Sequence, residues 1–201
     1  MWTRELVKRN ARDVFQNNYW PTVLTFFVYG LIVGGAGAIL SMTGVGSVAV
    51  AILLGGPMEA SISWFMLKNR RGEGQLEDLF FCFQNNYGNI LMVSFMQKLY
   101  IFLWSLLFIV PGIIKSYEYR LVPFILAENP GIEYRDALEQ SRAMMDGEKM
   151  NVFVLDLSFL GWWFLSLLTG CVLIIFWTQP YYMSTRAELY EALKAKYREA
   201  V

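Results

Sequence analysis

Val14 through Met58 is a run of 45 residues without a charged side chain, and charges are scarce again over 79–97, 99–114 and 157–185. A water-soluble domain cannot leave that much uncharged, aromatic-rich surface in solvent without aggregating, whereas a bilayer needs about 20 apolar residues for each crossing helix. The expected fold is therefore an all-α, polytopic membrane helical bundle, with 1–201 forming one membrane domain. Composition agrees: 56% of residues are hydrophobic, 16% are aromatic and mean hydropathy is +0.37.

Lysine plus arginine and aspartate plus glutamate number 17 each, so no net positive field exists to hold a polyanion and nucleic acid is not an expected partner. Histidine is absent, which removes the usual general base near neutral pH and the commonest ligand for zinc, copper and iron. No metal and no cofactor is expected. Cys82 and Cys171, the two thiols, fall at opposite membrane faces in the topology below and read as small apolar residues. The first twenty residues are too charged and too long for a signal-peptide n-region. The apolar run behind them is too long for a cleavable segment and is expected to stay as a spanning helix.

Hydropathy and turn residues suggest six crossings, at about 21–40, 46–68, 88–109, 111–127, 149–168 and 171–192. Arg4, Lys8, Arg9, Arg12, Lys68, Arg70, Arg71, Arg135, Arg142, Lys149, Lys194, Lys196 and Arg198 then fall at the two termini and in alternate connections. The connections near 41–44, 110–112 and 169–170 carry no charge. Basic residues stay on the cytoplasmic side, so both termini are expected in the cytoplasm with very short outer loops. The stretch 157–185 is long enough to be read as one tilted span, but a five-span chain would leave the basic C-terminus outside.

Phe15-Gln16-Asn17-Asn18-Tyr19 returns 68 positions later as Phe83-Gln84-Asn85-Asn86-Tyr87, each copy just before an apolar run. Asparagine tolerates the left-handed backbone that ends a helix, and Asp146-Gly147 stands at the corresponding place before the fifth run. Each unit also has a proline in its second helix, Pro57, Pro111 and Pro180, where the helix should kink or begin because proline lacks a backbone donor. Three units, about 1–70, 71–130 and 131–201, are therefore expected, each an interfacial amphipathic helix followed by a spanning hairpin. In the first interfacial helix Trp2, Leu6, Val7, Ala11, Val14 and Phe15 share one face; in the third Ala137, Leu138, Ser141, Met144 and Met145 do. Both faces suit attachment to the bilayer surface, or packing on a cytoplasmic partner.

Six ionisable residues fall within the expected spans: Glu59, Lys98, Lys115, Glu118, Arg120 and Asp156. Counting about 1.5 Å per residue puts them all at roughly 10–18 Å depth, on four helices. An isolated charge near the bilayer centre costs at least about 2.5–3.5 kcal/mol, so a neutral set at one level should point inward and pair or line water. Lys115 and Glu118 share a helix face; Glu59 with Lys98 and Asp156 with Arg120 are the remaining expected pairs. Such a layer is either a polar cavity open to the cytoplasm or a set of closed pairs that fixes helix register. Arg186 in the last span could join this layer, but snorkelling to the inner surface is the expectation. Gly30 and Gly34 form a G-x-x-x-G, which in an apolar helix means close contact with another helix, in this chain or in a second subunit. No G-x-S-x-G, G-x-G-D, H-E-x-x-H or paired adjacent glutamates occur, so no catalytic residue is assigned and an enzyme is not expected.

The stretch Trp104 to Tyr117, with its Val110-Pro111-Gly112 corner, resembles the signature of the bacterial domain-of-unknown-function family 975. Pro123, Ala127-Glu128-Asn129-Pro130, Ser141-Arg142, Gly147, Leu155-Asp156-Leu157-Ser158, Gly161-Trp162 and Pro180-Tyr181 are similar to its later blocks, and Met1-Trp2-Thr3-Arg4 to its opening. The Pro-Gly block also resembles, more loosely, the membrane domain attached to some glycerophosphodiester phosphodiesterases, which is not the catalytic part. The resemblance implies an integral protein of a bacterial cytoplasmic membrane without an established reaction. The expected function is non-enzymatic: binding or helping to move a lipid or amphiphilic ligand through the polar layer. The alternative is an accessory subunit that organises a protein partner or a second copy of itself, its buried charges serving only helix packing.

Overall fold

Residues 2–41, 50–169 and 172–200 are described by the computed structural model, and among them every regular element is helical. α1 (Arg4–Asn17) meets α2 (Tyr19–Ser41) at Asn18. A π-turn (Ala51–Gly55) runs into α3 (Gly56–Asn69). A 3-10 turn (Leu76–Phe80) and α4 (Phe81–Gln84) lead to α5 (Tyr87–Leu107), followed by α6 (Ile109–Glu118) and α7 (Val122–Glu128). α8 (Tyr134–Met144), α9 (Lys149–Leu157), α10 (Leu160–Leu168), a second π-turn (Ile174–Thr178) and α11 (Gln179–Ala200) follow. The first outer connection, the start of the second expected span at 46, and Cys171 lie outside the described residues.

Three stretches are long and apolar enough to cross a membrane: Tyr19–Ile39, Tyr87–Leu107 and Lys149–Leu168. At 1.5 Å per residue each reaches about 30 Å, the thickness of a hydrocarbon core. Their sides present Leu24, Phe27, Leu31, Phe102, Leu106, Phe164 and Leu167 outward. That surface is stable against acyl chains and costly in water.

The stretch expected as one span over 111–127 is two helices instead, of 10 and 7 residues, separated by a turn at 119–121. Pro123 is the cause: it stands in the first turn of α7, where its missing donor costs nothing, and an unbroken helix would have placed it in the interior. α6 rises only about 15 Å, half of what a crossing requires. α7 is buried from Val122 to Ala127 and packs on α3.

Pro57, Pro111 and Pro180 each stand in the first turn of a helix, in α3, α6 and α11. Pro57 and Pro180 come directly after the π-turns, whose wider loops accommodate the ring against the preceding carbonyls. At Pro111 the chain breaks at extended Phe108 and doubles back, so that α6 packs against α5. Gly112 makes that return: a Cβ there would lie 2.7 Å from the Ser105 backbone. At the three corners into the apolar runs, Asn86 and Gly147 adopt left-handed backbone, with φ of 51° and 72°. Asn18 does not; its φ is −120° and its amide donates to the Asn69 carbonyl at 3.2 Å.

The amphipathic helices find their cover inside the chain, which corrects the expectation of bilayer attachment. Val7, Ala11 and Phe15 of α1 are buried, and α1 packs along α11. Ala137, Leu138, Ser141 and Met144 of α8 are buried against α5, α7 and α11. One core thus runs through Phe15, Phe65, Phe124, Phe159 and Tyr190, all fully buried. Ion pairs bind the same region on its outside: Lys68 to Asp78 at 2.8 Å, Arg70 to Glu188, Lys194 to Glu128, and Lys196 to Glu148 at 2.6 Å.

Candidate functional site

The six ionisable residues singled out from the sequence lie on α3, α5, α6, α9 and the turn after α6, where the apolar stretches meet the packed core. Five of them join one belt of charge. The Glu118 carboxylate bridges two ammonium groups, Lys115 at 2.6 Å on its own helix and Lys149 at 2.6 Å at the start of α9. Asp156 receives both terminal nitrogens of Arg120, in the fork geometry that suits a carboxylate, and hydroxyl hydrogen bonds from Tyr117 at 2.9 Å and Tyr182 at 3.3 Å. The Arg120 guanidinium also donates to the Tyr182 hydroxyl and lies over the Tyr117 ring, 5.2 Å from its centre.

Glu59 does not pair with Lys98, as the sequence reading expected. Its partner is Arg186, at 3.9 Å. Arg186 does not snorkel to the inner surface; it donates to the Arg120 carbonyl at 3.0 Å and lies over the Phe124 ring. Among the described residues the Nε atoms of Arg120 and Arg186 are buried without a hydrogen-bond partner. Sequence reasoning counted three cations and three anions here. With Lys149 and Arg186 included, Lys115, Arg120, Lys149 and Arg186 stand against Glu59, Glu118 and Asp156, four minus three, a surplus of one positive charge in the belt, and Lys98 beside it adds a second. The signal for Arg186 was present, since it is the first charge after 29 uncharged residues. Lys149 was read instead as part of a basic connection.

Lys98 stands apart. It is exposed on α5, and among the described residues no carboxylate pairs with it. It lines a groove of about 370 Å³ with Ile52, Gly56, Phe95 and Phe102. Gly30 and Gly34 also lie open: a Cβ on either would meet nothing within 4 Å among the described residues, so the G-x-x-x-G makes no close helix contact there. Trp104 faces Lys115, whose ammonium lies 5.4 Å from its ring centre, and Trp162 packs on Trp177.

Beyond the apolar stretches, Glu148 illustrates how the packed region holds a charge. Burial pushes its carboxyl up, but hydrogen bonds from Lys196 at 2.6 Å and Asn151 at 2.8 Å outweigh that and hold it below the ordinary glutamate range. Arg70 follows the same logic with opposite sign: burial lowers it, and the Glu188 carboxylate more than restores it.

The described residues contain no group of three or more Cys, Asp or Glu side chains placed to hold a metal ion. No curated protein and no solved structure matches the chain. Residues 109–197, from the Pro111-Gly112 corner through the Asp156 cluster to α11, match the family described as protein of unknown function (DUF975). That segment, which contributes Lys115, Glu118, Arg120, Lys149, Asp156 and Arg186 to the charge belt, is where the chain is similar to the DUF975 family.

Proposed function

We propose that this protein is a non-enzymatic component of a bacterial cytoplasmic membrane that binds, or helps to move, an anionic amphiphile at the level of its charge belt. The observation that carries the reading is the surplus of cations at the seam between apolar helices and packed core, with Arg186 held only loosely by Glu59. A belt meant solely to fix register would be neutral, because uncompensated charge in a low-dielectric setting destabilises the fold. In this reading the three long apolar helices and the three proline-led limbs form six membrane-associated segments in three repeated hairpin units, with both termini in the cytoplasm. The recurring order of short helix, long apolar stretch and proline-led limb supports the repeat, although in the second unit the short helix has only four residues, Phe81–Gln84, after a 3-10 turn.

The test is the lipid that accompanies the protein through purification in mild detergent, identified by mass spectrometry. Wild-type protein is expected to retain anionic lipid in preference to zwitterionic lipid. Glu59→Gln, which removes the counter-charge of Arg186 and so raises the net charge by one, should raise that retention about threefold at a stability cost of no more than about 1 kcal/mol. Equal retention in both proteins counts against the reading. A second reading, an accessory subunit that gathers a partner helix, is favoured by the uncovered Gly30 and Gly34 face of α2. A stable partner recovered at native expression, lost in Gly30→Leu, would favour that reading.

A further inference from the structure

The four cations of the belt each have a carboxylate: Lys115 and Lys149 share Glu118, Arg120 holds Asp156 and Arg186 faces Glu59. Lys98 has none among the described residues, and apart from Ser94 the residues that line its groove are apolar. The groove it lines lies between the π-turn and start of α3 on one side and the face of α5 carrying Phe95, Leu99 and Phe102 on the other. The two walls approach closely because Gly56 has no side chain; a Cβ there would stand 2.6 Å from that of Ser94. Lys98 Nζ lies across the same gap, 3.7 Å from where that Cβ would be. Phe95 and Phe102 are 39% and 60% exposed on a helix long enough to cross the bilayer, so the groove is walled by surface that acyl chains wet.

An ammonium at the end of an apolar trough selects for a molecule with an anionic head and a hydrocarbon tail. We infer that the groove of Ile52, Gly56, Phe95, Lys98 and Phe102 is a seat for an anionic glycerophospholipid, its phosphate on Lys98 and one acyl chain along the phenylalanines. Charge complementarity fixes the head, since a zwitterionic lipid would bring a second cation to a place with no carboxylate to receive it. The apolar walls fix the tail, since a free phosphate ester would leave them uncovered. This assignment rests on the amphiphile reading above and locates it on the α3–α5 side, away from the paired arginines.

The full-length protein is reconstituted in nanodiscs of phosphatidylcholine with a minor share of phosphatidylglycerol, and the lipids held after detergent exchange are counted by native mass spectrometry. Wild type is expected to be enriched in phosphatidylglycerol. Lys98→Gln should lower that enrichment about tenfold, and Lys98→Arg should keep it. Among the described residues Lys98 makes no ion pair or hydrogen bond, so both variants keep the fold's own contacts; an unchanged melting temperature checks this. Full enrichment in Lys98→Gln, together with a response to Glu59→Gln, would overturn the Lys98 seat while leaving an amphiphile site elsewhere in the belt. No enrichment in wild type would overturn both. Displacement of bound phosphatidylglycerol by soluble glycerol phosphate would overturn the lipid assignment, because the tail would then contribute nothing.

Discussion

α2 and α11 are nearly equal in length, 23 and 22 residues, and are built for different solvents. α2 carries no charge, and from Phe27 to Ile39 it buries no side chain; Leu24, Phe27, Leu31 and Ile39 face outward. Its buried hydroxyls, Thr22 and Thr25, bond to carbonyls one turn back on the same chain. α11 does the reverse. It buries Tyr181, Met183, Ala187, Leu189, Tyr190 and Leu193 together with Ser184, Thr185 and Glu188, and gives its charged ends to ion pairs. One rod is stable because hydrocarbon wets it, the other because neighbouring helices cover it. The chain therefore joins two folding problems, and the charge belt is where they meet.

Truncating side chains on the two rods separates these terms. Tyr190, stacked on Phe124 with ring centres 5.2 Å apart, donates its hydroxyl to Glu128 at 2.7 Å. Tyr190→Ala should cost about 3–5 kcal/mol, read as a lower midpoint of thermal unfolding in detergent. Leu31→Ala on α2 should change stability by less than about 0.5 kcal/mol in the same assay. Equal losses would erase the distinction. At the seam, Asp156→Asn strips Arg120 of its counter-charge. With 24% of the carboxylate side chain exposed, the cost should be about 1–3 kcal/mol, below that of a fully buried pair. The smallest effect belongs to Glu148. Its carboxyl is held below the ordinary value, so its contribution is fully present above the usual glutamate range near about 4.3 and is lost as pH falls through the folded value. Lys196 is 57% exposed, so the difference between wild type and Glu148→Gln should stay under about 1 kcal/mol at neutral pH and vanish in acid.

Much of this arrangement was legible in residue order. Three of the six expected crossings, 21–40, 88–109 and 149–168, coincide with the stretches long and apolar enough to span, and the i, i+3 spacing of Lys115 and Glu118 gave their contact. Pro57, Pro111 and Pro180 fall where helices start. Local rules reached that far because they concern one element at a time. They failed where the partner came from elsewhere. An apolar stripe on α1 states that something covers it, and nothing in its spacing distinguishes acyl chains from α11. The carboxylate nearest Lys98 by expected depth, Glu59, turned to Arg186, whose position depends on how α11 lies against α3 and α7. Pro123 carried a signal that was overlooked; weighed like the other prolines, it would have divided the stretch 111–127.

The π-turns at Ala51–Gly55 and Ile174–Thr178 each fit one residue more than an α-helical path would hold. One extra residue advances everything beyond it by about 100° around the axis. The buried faces of α3 and α11, which begin just beyond the bulges, are thereby freed from the phase that an unbroken helix would impose on them.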